Sequence, residues 1–376
     1  MNKKKRGLFL FVCILLLTML LSMTAFAAKG DKSAASIGSK RYPSLEAAVK
    51  AVKKGQTIKV TKDITVSDTL TVNKPKVNFT IDFGKHRYKY TGSDYAIRLN
   101  KGTVTIKNAK VTALKGKALY IKSGASATIA SGAFTGSGSS DSWEEILDKG
   151  LFYNCGTLTV KGGTFKAGKN AAVHNKGVLK ISKGTFSTSL PLKNDEEPTS
   201  SGALILNYKD KGRITVSGGT FTAAVNVFFN GGSLTIKDGT FTSREASALW
   251  NVHAPAVITG GTFISKGDWA TVLNDSDKMG KGKVTIKKGS FTSANMVLEC
   301  WSNSVLTING GAFKTTSTYD PNGKRPLMLA FNTSKIVVNG GTFTAKKTYL
   351  YYQDKGASVK LNGGTFHTKY KKKNTP

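Results

Sequence analysis

The chain has 376 residues, among them 40 glycines and 3 cysteines, and its 56 Lys+Arg outnumber 22 Asp+Glu for a formal net charge of +34. So few cysteines in so long a chain exclude a disulfide-stapled mini-protein, and 39% hydrophobic residues with 9% aromatics exclude a disordered tail. Glycine recurs at intervals of roughly 20 residues rather than at every third position, which excludes collagen and points to a repeated turn.

Residues 1–27 read as a secretory signal peptide. Lys3, Lys4, Lys5 and Arg6 form a basic start, an apolar run follows from Leu8 to Leu21, and Ala25-Phe26-Ala27 offers a small-x-small cleavage site. The apolar run is also long enough for an uncleaved anchor, but the small-residue exit favours cleavage. The expected location is therefore extracellular or on the cell surface, with no integral membrane association after cleavage. The leader holds basic residues and no acid, so the excess of positive charge belongs to the mature chain.

Residues 28–40 read as a small-residue linker, and 41–99 as an N-terminal cap with irregular first coils. From Ser44 to Lys54, Leu45, Ala48, Val49 and Val52 share one helical face, and Gly55 stops the pattern. A short helix there is placed to cover the open end of whatever follows. The runs QTIKVTKDITV and VNFTIDF read as strands.

Residues 100–368 carry a repeat. Its copies include LTVKGGTF ending at Phe165, LKISKGTF at Phe186, ITVSGGTF at Phe221, LTIKDGTF at Phe241, VTIKKGSF at Phe291, LTINGGAF at Phe313, IVVNGGTF at Phe343 and VKLNGGTF at Phe366. Weaker copies end at Phe134 and Phe263, and Val111 holds the Phe place of another. The apolar-polar-apolar start is strand writing with Thr or Lys facing water; a Gly-rich bend follows, and Thr-Phe-Thr opens a second short strand. A third, nearly all-apolar segment ends in a polar residue at Asn154, Asn175, Asn207, Asn230, Asn251, Asn274 and Asn332. The series extends to Asn100, with Lys122, Glu299 and Gln353 as departures. Stacked copies predict an internal amide ladder at one corner, because Asn tolerates left-handed backbone and bonds main-chain groups. Three strands and three bends in each unit of about 21 residues describe one coil of a solenoid. Residues 369–376, with Lys369, Lys371, Lys372 and Lys373, read as a basic tail that keeps the last edge from pairing.

On coil length, the Asn column and the Gly-Thr-Phe repeat, the chain resembles the right-handed parallel β-helix, or pectate-lyase-like, superfamily of secreted bacterial proteins. The resemblance covers residues 41–368 and implies an all-β fold, a right-handed parallel β-helix solenoid of about a dozen coils with a short N-terminal capping helix. Members include polysaccharide lyases, glycoside hydrolases, adhesins and phage tailspikes, so fold by itself does not choose an activity. Cys155 and Cys300 would lie about six coils apart, roughly 29 Å at the strand spacing, and are expected to be free thiols.

Strand alternation sets the candidate site. With Asn inward, the outward file of the third strand is Tyr153, His174, Leu206, Phe229, Trp250, Leu273, Leu298, Phe331 and Tyr352. Tyr153, His174, Phe229, Trp250, Phe331 and Tyr352 are the expected sugar-stacking residues; the alternative is that loops cover this face or that the corner reverses the register and makes them core. Long insertions before Asn154, Asn207 and Asn332 enter at one edge of that strand, where binding residues are commonly mounted. Two insertions hold acids: Asp141, Glu144, Glu145 and Asp148 in one, Asp195, Glu196 and Glu197 in the other. Glu144, Glu145, Asp195 and Glu196 are the catalytic candidates of a hydrolase or lyase reading, against solvated acids paired with Lys. Such acids can also hold calcium, yet no ligand spacing supports it; His86, His174, His253 and His367 show no metal-ligand spacing either, and no cofactor or metal is expected.

The expected partner is an acidic polysaccharide or cell-wall polymer, attracted by lysine and contacted by the aromatic file, with no nucleic acid expected. That describes a secreted, adhesin-like or surface-binding protein; the alternative is a polysaccharide lyase or glycoside hydrolase acting on an acidic polysaccharide. Lysine serving only to solubilise a long repetitive sheet is a third, purely structural reading.

Overall fold

A computed structural model describes residues 33–115, 117–136, 150–168, 171–189, 202–208, 211–277, 280–317 and 325–374. The chain is an all-β solenoid, a parallel β-helix in which 35 strands of the described residues join one continuous hydrogen-bonded system. Each coil pairs in parallel with the next, so that Thr157–Val160 lies on Val178–Ile181, Thr164–Lys166 on Thr185–Ser187, and Phe152–Asn154 on Val173–Asn175. Strands one coil apart in sequence therefore become spatial neighbours, and the three segments of the repeat stack into three ribbons.

The core follows from the alternation. Leu158, Leu179, Ile214 and Leu234 of the first ribbon point inward at 0–2% exposure, and the repeat phenylalanines stack along the axis. Phe165 and Phe186 are 4.4 Å apart between ring centroids, Phe186 and Phe221 4.9 Å, Phe263 and Phe291 4.7 Å, with interplanar angles of 19°, 7° and 8°. Parallel in-register pairing leaves each ring little choice but to lie over its counterpart. The glycine two places before Phe is required by backbone: Gly239 has φ +132°, and a Cβ there would stand 2.8 Å from the Phe241 ring.

The N-terminal end is closed as expected. Helix α1, Leu45–Ala51, is capped by Ser44, whose Oγ accepts the Ala47 N–H at 3.1 Å, and it buries Leu45, Ala48 and Val49 on the first coils. The stretch read as a linker is partly ordered: Ala35–Ile37 pairs antiparallel with Lys40–Tyr42 and with Thr57–Val60, adding a hairpin to the cap. At the other end the stretch read as a tail continues the last strand, Thr365–Asn374, which pairs Tyr349 with Tyr370 and Gln353 with Asn374. Leu361 and Tyr370 on this final coil are exposed.

The amide ladder is present over six coils. Asn154 donates to Asn175 at 2.8 Å, Asn175 to Asn207 at 2.8 Å, Asn207 to Asn230 at 2.7 Å, Asn230 to Asn251 at 2.6 Å and Asn251 to Asn274 at 2.9 Å. All six are at most 1% exposed. Beyond Asn274 the register departs from the expected one. Cys300 and Ala330 occupy the ladder position, not Glu299 and Asn332, and on the N-terminal side Ile121 does, not Lys122. Corner length changes there: Asn154 to Thr157 and Asn230 to Ser233 are two-residue corners, although Asn207 and Asn274 precede longer ones, whereas after Ile121, Cys300 and Ala330 four residues intervene and a small buried residue takes the space. Ser304 fills it after Cys300, donating to the Asn274 carbonyl at 2.9 Å, and Ser334 after Ala330, donating to the Cys300 carbonyl at 2.8 Å. Asn332 supplies the left-handed residue of that longer turn, at φ 55°. Cys155 and Cys300 are free thiols, as their separation requires.

Candidate functional site

The outward file of the third ribbon begins with an aromatic stack. Tyr120 and Tyr153 pair directly across adjacent coils, ring centroids 5.7 Å apart and 17° from parallel, and His174 continues the column 5.9 Å from Tyr153. Tyr95 packs against Tyr120 at 5.6 Å, and Tyr208 lies 5.9 Å from His174. Cations are interleaved with the rings. The Arg98 guanidinium sits 4.6 Å from the Tyr120 centroid, Lys117 Nζ 5.6 Å from Tyr95, and Lys176 Nζ 5.2 Å from Tyr153 and 4.4 Å from Tyr208. Arg98 is held by Asp94, whose two carboxylate oxygens accept from Nη2 at 2.7 and 2.6 Å. Tyr120, Tyr153 and Tyr208 are half-buried, so each shows part of a ring to solvent. Burial, with Cys155 beside it, raises the Tyr120 phenol above its usual range and keeps it a neutral donor.

His174 is the buried member, 1% exposed, with Gly150 against its ring and its Nδ1 3.1 Å from the Tyr208 hydroxyl. Burial, assisted by Lys176, pushes its pKa down to about 3, so the imidazole is neutral. It supports the tyrosines from beneath rather than meeting a ligand. Its neighbours Leu206, Leu273 and Leu329 are also buried, whereas Phe229, Trp250 and Tyr352 are half-exposed, with Phe229 and Trp250 edge to face at 5.2 Å. The expected file is therefore corrected at two places. Leu298 points into the core and Glu299 stands in the outward position, while Phe331 lies beyond the strand, its ring 4.6 Å from Trp301 and tilted 34° to it, and Leu329 takes its place. Tyr95, Tyr120 and Tyr208 were missed by the sequence reading. Tyr120 follows the same alternation one coil earlier, hidden because Ile121 replaces Asn, and Tyr208 follows the ladder residue rather than preceding it.

Glu299 is 3% exposed and accepts one bond, from Trp301 Nε1 at 2.6 Å to Oε1. Burial outweighs that bond and pushes its pKa up to about 7. A raised carboxyl pKa means the folded state keeps a proton that the unfolded chain has released, so stability falls as pH rises from the unfolded value of 4.5 through 7. The loss amounts to about 3 kcal/mol at most. Glu299→Gln is expected to remove it: its Tm at pH 8 should exceed that of the parent while the two agree at pH 5, and equal Tm differences at both pH values would refute this.

The catalytic candidates Glu144, Glu145, Asp195 and Glu196 lie outside the described residues. Among the described residues, no group of three or more His, Cys, Asp and Glu side chains is arranged to hold a metal ion, and no helix is long and apolar enough to cross a membrane. Acids elsewhere contact basic partners: Asp63 lies 3.5 Å from His86, and Asp277 2.8 Å from His253. Compared with protein-family models, with curated proteins and with solved structures, the chain finds no match.

Proposed function

We propose that this β-helix is a secreted, surface-binding protein of adhesin type, of the right-handed pectate-lyase-like kind, that recognises acidic glycans or cell-wall polymers. The single observation behind this reading is the interleaving of tyrosine rings with Arg98, Lys117 and Lys176 along and beside one outward file. The stacked phenols turn edges and hydroxyls outward, which offer hydrogen bonds to sugar hydroxyls, and the cations beside them offer partners to the carboxylate that an acidic sugar carries. The excess of positive charge that stays with the mature chain supplies long-range attraction, and the aromatic surface supplies the contact that salt does not screen.

The test is binding of the mature protein to polygalacturonate across a salt series. Tyr120→Ala is expected to weaken binding about threefold to tenfold, the worth of one hydrogen-bonding phenol, without changing the salt dependence. Failure of the parent protein to bind any uronate polymer at low salt would overturn the proposal.

A further inference from the structure

The two ends of the solenoid differ. At the N-terminal end, helix α1 and the hairpin of residues 35–42 pack on the first coils. At the other end the last coil is bare. Lys335–Val338 pairs on one side with Val305–Ile308 and on the other with Ser358–Leu361, whereas Ser358–Leu361 has Lys335–Val338 as its single partner among the described residues. Thr365–Asn374 likewise pairs with Thr342–Gln353 alone. Every second residue of these two strands therefore turns its backbone N–H and C=O away from the sheet, where no ladder partner meets them.

The core is open at the same place. Ile336, Val338 and Phe343 are at 0% exposure, but their partners one coil on are not: Val359 and Phe366 are half-buried, and Leu361 is 36% exposed. Tyr370, in register with Tyr349, is 40% exposed. Among the described residues, Leu114 is the one other exposed large hydrophobic. Phe366 stacks on Phe343 at 5.3 Å, and among the described residues no ring continues the column beyond it. The surroundings are cationic. Residues 346–376 hold eight lysines and a single acid, Asp354. Beside the edge, a depression of about 580 Å³ is lined by Lys314, Lys346, Lys347 and His367 with threonine and serine, and by no acid.

We propose that this C-terminal coil is a docking edge for an extended acidic segment of a partner protein, which adds a strand along Thr365–Asn374, lays apolar side chains over Phe366 and Leu361, and turns alternate carboxylates to the lysines. Three features choose that occupant. Unpaired ladder groups call for another backbone, which a lipid surface does not bring. Open core positions call for apolar side chains at every second residue, the spacing that a strand supplies. The lysines attract carboxylates and exclude a second copy of this chain, because a tail-to-tail pair would set the same cations against each other. This edge lies at the opposite end of the solenoid from Tyr120, and its role is independent of glycan binding.

The experiment titrates the mature protein with a short labelled peptide alternating Val with Glu, followed by fluorescence anisotropy. Two relatives of the peptide separate backbone pairing from charge: one carries Lys in place of Glu, and one keeps every side chain but has all its backbone amides N-methylated. The Val-Glu peptide should bind, the Lys peptide should not, and N-methylation should weaken binding at least about tenfold. The double variant Leu361→Ser/Tyr370→Ser should weaken it about tenfold, whereas Leu114→Ser, an equally exposed apolar position far from the edge, should weaken it no more than about twofold. All three positions are on the surface, and unchanged Tm values would show that the fold is intact. Absence of binding, equal affinity for the N-methylated peptide, or equal losses in the double variant and Leu114→Ser would overturn the docking edge. So would binding to phosphatidylglycerol vesicles, or a dimer in sedimentation, that the double variant abolishes, since either would give the edge to a lipid surface or to a second copy. None of these outcomes bears on retention of uronate polymers, which stands or falls by its own test.

Discussion

Asn230→Ala is expected to lower the unfolding free energy by about 3–5 kcal/mol, since it orphans two buried groups at roughly 1–3 kcal/mol each and leaves a small cavity. In the native chain Asn230 accepts from Asn207 at 2.7 Å and donates to Asn251 at 2.6 Å, with the whole amide at 0% exposure. Removing it leaves the Asn207 N–H without its acceptor and the Asn251 oxygen without its donor, in a place water cannot enter. Asn362→Ala is the matched control: Asn362 donates to Asn339 at 2.8 Å in a second amide row that is exposed, so water replaces the lost bond. A stacked solenoid couples each coil chiefly to its neighbours, so the damage should be local. Hydrogen exchange should accelerate first in Ile205–Asn207 and Leu249–Val252, the strands flanking Asn230. Urea midpoints for the two variants within experimental error of each other would sink the claim that the buried ladder is a principal tie between coils.

The second large effect is acid sensitivity set by His174. A histidine whose folded pKa is depressed to about 3 from 6.5 stays neutral in the fold while the unfolded chain takes up a proton. Stability is then fully present above 6.5 and is lost as pH falls toward 3. Between pH 7 and pH 4 the loss is about 3 kcal/mol. His174→Phe should abolish this dependence while keeping a ring on Tyr153. Glu299 acts with the opposite sign over much of the same range, so the parent's pH curve is flattened and each contribution is read from its own variant. The measurement is the unfolding free energy of parent and His174→Phe at pH 7 and pH 4; a difference between the two proteins that does not change with pH would show that His174 is not held neutral by burial. The same burial bears on function. A neutral imidazole beneath Tyr153 and Tyr208 adds no charge there, which leaves Lys176 as the cation over both rings.

The amino-acid sequence by itself determined the solenoid. Alternation and the invariant step to Phe are local features, and once strands of that pattern stack in parallel, the Phe column and the Asn ladder from Asn154 to Asn274 follow. The outward positions Tyr153, His174, Phe229, Trp250 and Tyr352 were legible for the same reason. Only the tertiary structure decided the register where Asn is absent. Side-chain alternation says which residues share a face, but backbone pairing between coils says which residue faces which. A four-residue corner closed by Ser304 or Ser334 moves the assignment by one place at Glu299 and by two at Phe331. Burial of His174 was equally hidden, because it depends on Gly150 arriving from a different coil.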